Sequence, residues 1–303
     1  MSPRNIERAL QAMFNGVIAT VSGATLAGCG TPTCDTSFTP QTYDITYNLC
    51  GPTDAGACFV SCVTACAELK PPNDPGMGTC ASFTNATDAA VAMASCQTEL
   101  GCTGRQTEGL VVPTFVGSAN SALFAKMAWL EAASVHAFRR LAHELRAHEA
   151  PHHLVDHAMT CAADEVRHAK LMNSLAEKYG AYVPPVVGRH DVPVRSIEFV
   201  AHENAIEGCV SETFGALFAA WSMTHTTNAD IADAMRQIAP DELRHAALGW
   251  AVAAWANTRL SSTAQRRVRE ARHTAARNLA DRVTSGHAAL LAQTLAEQLI
   301  RAS

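Results

Sequence analysis

The strongest constraint on this 303-residue chain is an internal repeat. Asp164-Glu165-Val166-Arg167-His168-Ala169 returns 77 positions later as Asp241-Glu242-Leu243-Arg244-His245-Ala246. A glutamate precedes each copy at similar distance, with a phenylalanine seven residues after it. Glu131 (with Phe138) lies 34 positions before Glu165, and Glu207 (with Phe214) lies 35 before Glu242. The chain thus repeats one glutamate helix followed by one Glu-x-x-His helix.

Four long alanine-rich segments, at 118–148, 152–179, 194–225 and 228–258, carry this repeat with apolar residues at helical spacing. A fifth, at 262–301, reads as a covering helix broken or bent near Gly286. The connections are too short for anything but antiparallel neighbours. Residues three apart share a helix face, so Glu165 and His168 can reach one centre, as can Glu242 and His245. The expected ligand set is Glu131, Glu165, His168, Glu207, Glu242 and His245. Glu203 and Glu212 also lie on the third helix and could serve in place of Glu207, but the match of Phe138 with Phe214 favours Glu207.

Charge decides what such a centre needs. Unpaired carboxylates in an alanine-lined interior cost on the order of several kcal/mol each. Arg167 and Arg244 sit two positions from the glutamates, off the same face. Two divalent cations would balance four carboxylates. Mixed carboxylate and imidazole ligation without thiolate suits iron, or manganese, better than calcium or structural zinc. Cys161, Cys209, His136, His202 and His225 read as core or ordinary polar positions. Pro240 is expected to bend the fourth helix just before Asp241.

This constellation resembles the ferritin-like superfamily of di-iron carboxylate proteins, which includes rubrerythrins, bacterioferritins and related oxygenases. The resemblance covers residues 118–258. It implies an all-α fold, an antiparallel four-helix bundle plus a C-terminal helix. It also implies an outer layer around the ligands, with Asp164 accepting from His245, Asp241 accepting from His168, and Arg167 and Arg244 in polar contacts outside. There are departures. No rubredoxin-like electron-entry domain is present, Val210 stands where rubrerythrins carry a further glutamate, and Ile238 occupies the position of the third histidine of amine N-oxygenase relatives.

The N-terminal part is different in kind. Nine of the eleven cysteines (29, 34, 50, 58, 62, 66, 80, 96 and 102) precede residue 103. Arg4 and Arg8, an apolar stretch over 13–21 and Leu26-Ala27-Gly28-Cys29 follow the order of a secretory signal peptide ending in a bacterial lipobox. The reading is a leader over 1–28, a cysteine-rich irregular segment over 29–112 and the di-metal bundle over 113–303. Cys29 would carry lipid, and eight cysteines remain for four disulfides. A short helix is expected over Thr87–Glu99. The competing reading of 1–28 is an ordinary amphipathic helix. No other stretch is long and apolar enough to span a membrane, so attachment would be by the lipid alone.

The function expected is that of an envelope-anchored oxidoreductase of ferroxidase, peroxidase or oxygenase type. Its partners would be O2 or peroxide with a small substrate or electron donor, and a homodimer is an open option. The competing expectation is a non-catalytic metal-binding surface lipoprotein whose cysteine-rich segment binds a partner. A net charge of -5 gives no basic face for nucleic acid.

Overall fold

The computed structural model of the chain describes residues 3–22, 41–46, 79–85, 91–97, 113–115, 119–186, 193–226, 228–283 and 286–301. Cys29 and the side chains of the eight cysteines expected to pair lie outside that description. The chain divides into two compact units, Met1–Thr36 with Cys102–Ser303, and Ser37–Gly101.

Among its described residues the larger unit is all helical. It comprises α1 (Pro3–Ser22), α2 (Ala119–Ala147), α3 (His152–Lys178), α4 (Ile197–Ile206), α5 (Glu212–His225), α6 (Ala229–Asn257), α7 (Ser262–Arg282) and α8 (Gly286–Arg301). The fifth expected segment is therefore two helices. Between α4 and α5 the chain does not break but passes through one π-helical turn, Glu207–Ser211.

Local chemistry sets the ends of these helices. Asn228 accepts from the backbone N–H groups of Asp230 and Ile231, while Ser196 and Ser261 accept from Phe199 and Ala264. After α3, Gly180 takes φ 75 and the Ala181 N–H reaches back to the Ala176 carbonyl, closing the last turn. Residues 148–151 return the chain from α2 to α3, which pack along each other, and α5 packs along α6 in the same way. Contact between α3 and α6 then joins the two pairs, and it brings together the helices that carry the two Glu-x-x-His copies. Pro240 lies inside an uninterrupted α6. Arg195 ties the start of α4 to α2, its guanidinium bonding both Glu144 and Glu203.

Helix α1 covers much of the stretch expected as a leader. Ile6, Leu10, Phe14, Val17 and Val21 fall on one stripe at helical spacing, and all five are buried. The helix packs against α6 and α8. No described helix is long and apolar enough to cross a membrane.

The smaller unit contains an antiparallel three-stranded sheet of order β1-β3-β2, with β1 Gln41–Thr46, β2 Thr79–Asn85 and β3 Val91–Gln97. The register is regular between β1 and β3 and shifts between Cys80 and Ser82 in β2. The helix expected over Thr87–Glu99 is thus a strand at Val91–Gln97. Its run Val91-Ala-Met-Ala-Ser-Cys-Gln reads equally well at period two and at helical period, and pairing on both sides selects the extended form.

Candidate metal centre

Glu131 on α2 stands beside Glu165 and His168 on α3 and Glu242 on α6. One ligand atom from each lies within 4.8 Å of the others. Glu212 on α5 forms a second such group with Glu242 and His245. Glu242 belongs to both, so the two groups adjoin. Glu165 also faces both histidines. Its Oε2 is 3.8 Å from His168 Nδ1 and its Oε1 is 3.3 Å from His245 Nδ1. These buried carboxylates and imidazoles could hold a metal ion.

Five of the six residues expected from the repeat meet here, and Glu207 does not. Glu212 stands in its place, buried with Oε2 3.9 Å from His245 Nδ1. The expectation rested on Glu207 and Phe214 sharing a face seven residues apart. The π turn falls between them and adds one residue to a helical turn, so that face relation is lost. Glu203, on the preceding helix α4, is engaged by Arg195. Spacing gives no signal for Glu212 and points to Glu207, which precedes Glu242 by 35 positions. Glu212 precedes Glu242 by 30 positions, whereas Glu131 precedes Glu165 by 34.

Both imidazoles present Nδ1 to the centre and Nε2 to the outside. His168 Nε2 lies 3.0 Å from Asp241 Oδ2, and His245 Nε2 lies 3.4 Å from Asp164 Oδ2. With Nε2 protonated, each ring donates outward and its Nδ1 lone pair faces inward, which is the tautomer a metal requires. The two arginines lock these aspartates together. Arg167 bonds Asp164 at 2.6 Å and Asp241 at 2.8 Å, and Arg244 bonds the same pair from the other copy of the repeat.

The electrostatics show how much charge is packed together. Burial and the neighbouring Glu131 push Glu165 well above the ordinary carboxylate range. Burial opposes charge on His168, but Glu131, Glu165 and Glu242 around it push the imidazole up to about 12. His245 is also raised, against its burial, by Cys161, Glu242 and Asp164. Asp164 and Asp241 are held low despite burial, chiefly by His245 and Arg167 in one case and by His168 and Arg244 in the other. Without a cation, protons held by the central groups supply the positive charge.

Two observations test whether a metal fits. Buried Nδ1 of His168, Nδ1 of His245 and Oε2 of Glu165 make no hydrogen bond, and such atoms at the middle of a core call for a partner. The donor set, moreover, is carboxylate and imidazole only. Cys161 is buried, and burial pushes its thiol up, away from the thiolate that binds a metal. The residues fit.

No family model matches the chain, and neither a curated protein nor a solved structure does.

Proposed function

We propose that the larger unit is a di-metal carboxylate protein of the ferritin-like class, its four-helix bundle built from α2, α3, the α4–α5 helix and α6. Within that class the reading supported best is an oxidoreductase that works with two iron ions and O2 or peroxide. The single observation behind it is the meeting of Glu131, Glu165, His168, Glu212, Glu242 and His245, with the Nδ1 atoms of both histidines buried among the carboxylates and making no hydrogen bond.

Glu131 and His168 would hold one ion and Glu212 and His245 the other, with Glu165 and Glu242 shared between them. Four carboxylates then neutralise two dications, and oxygen and nitrogen donors suit iron or manganese. When bound, such a pair supplies electrons to O2 or peroxide. The chain's own residues supply the setting. Asp241 and Asp164 fix the imidazole rings through Nε2, and Arg167 and Arg244 hold those aspartates charged. Phe138 lies over His245, ring centroids 5.0 Å apart, and helps keep water from that side.

Metal analysis of the full chain after anaerobic loading with ferrous ion tests this reading. Two irons per chain are expected, with absorption changes on adding O2 or peroxide. Glu165→Ala and Glu242→Ala should each lose at least one iron. Undiminished iron in both variants would overturn the assignment, and two bound ions inert to O2 and peroxide would leave sequestration as the function.

A further inference from the structure

Two carboxylates of the candidate centre are more open than the other two. The side chains of Glu131 and Glu242 are 15% and 10% exposed, whereas those of Glu165 and Glu212 are 1%. A cleft opens over these two carboxylates. Its other walls are apolar, with Met127, Phe214, Phe218, Met235 and Ile238 among them, and small residues Gly215 and Ala219 complete the lining. Among the described residues, no lysine, arginine, histidine or hydroxyl side chain contributes to that lining.

This lining excludes some visitors and suits others. A hydrated ferrous ion would have to exchange its water shell against hydrocarbon walls, at high desolvation cost. A carboxylate substrate would have to leave water between those hydrocarbon walls, where no described lysine or arginine of the lining receives it. The room inside is about 40 Å³, well below the ~150 Å³ of an apolar cavity that accepts benzene. The cleft suits a chain of a few heavy atoms better than a ring.

We propose that this cleft admits an uncharged, apolar substrate of a few heavy atoms, or the alkyl end of a longer one, to the Glu131–Glu242 edge of the centre. The inference rests on the metal reading above for its meaning but not for its test. Among the reactions open to that reading it selects action on an apolar organic group over ferroxidation.

The test uses the full chain, metal-free and zinc-loaded, titrated with xenon and followed by xenon NMR. One saturable site is expected, from which n-hexanol displaces xenon at a concentration at least about tenfold lower than hexanoate does. Ala219→Phe and Gly215→Leu should each weaken xenon binding at least about tenfold with zinc content and melting midpoint retained. The absence of saturable binding, displacement by hexanoate as readily as by n-hexanol, or full xenon affinity in both folded variants would overturn the proposal. Zinc content is read separately, so a chain that binds xenon but no metal would sink the metal reading and leave the cleft standing.

Discussion

Glu212 has both carboxylate oxygens buried beside His245, on a helical stretch that also offers Glu203 and Glu207. Placing a glutamate so deep is costly unless positive charge meets it, and His245 stands beside it. Glu203 has found its cation in Arg195, and Glu207 lies half-buried outside the two ligand groups. The three side chains are therefore not interchangeable. Glu212→Gln should reduce metal content from two ions per chain to about one and leave the group around Glu131 loaded, because Glu131, Glu165, His168 and Glu242 do not depend on it. Glu207→Gln should leave both ions in place. Elemental analysis of the two variants side by side checks this, and the reverse pattern would restore the assignment made from the repeat.

At the level of elements, the π turn is held in place by its neighbour. A Cβ added to Gly249 on α6 would come within 2.2 Å of the Gly208 carbonyl oxygen, so the π turn and α6 meet backbone to backbone. Two further contacts converge on the Gly249 carbonyl. Asn204 Nδ2 donates to it at 2.8 Å and Cys209 Sγ at 3.6 Å. Asn204 is fully buried, which makes that bond expensive to lose. The close approach sets the path of the chain immediately before Glu212. Gly249→Ala must push the two backbones apart and is expected to destabilise the fold by about 1–3 kcal/mol, as overpacking does. It should also lower occupancy of the ion held by Glu212 and His245 more than that of the other. Denaturant unfolding and metal titration of this variant test both effects, and an unperturbed stability would mean that the helices can separate freely.

For the molecule as a whole, residues 1–28 serve two descriptions. Arg4, Arg8 and the small residues before Cys29 have the order of an export leader, yet five apolar residues of α1 are buried against the unit. Each such side chain contributes roughly 1.5–3 kcal/mol of burial before the cost of ordering the helix. Cleavage ahead of Cys29 would uncover the matching surfaces of α6 and α8. A chain starting at Cys29 is expected to melt at least about 5 °C below the full chain, since 1 kcal/mol shifts a domain of this size by ~2–4 °C. Equal midpoints would show that α1 adds nothing to the fold and would favour its removal in the mature protein, which the N-terminal mass of the native protein reads directly.

The amino-acid sequence alone determined the helices and most of the centre. Alanine-rich periodic segments give helix wherever they are long enough, and Glu-x-x-His places two ligands on one face by local geometry. Five residues of the candidate centre could therefore be named from spacing, and the matched aspartates and arginines travelled with the repeat. Tertiary structure decided what local geometry cannot. The π turn that exchanges Glu207 for Glu212 exists where α4–α5 crosses α6 at Gly208 and Gly249, a contact between residues 41 positions apart. The strand at Val91–Gln97 needed partners on both sides before its period could be read, and the apolar stripe of α1 looked the same whether it faced a membrane or a core. In each case the sequence held the side chains, and the neighbour that selects among their conformations came from elsewhere in the chain.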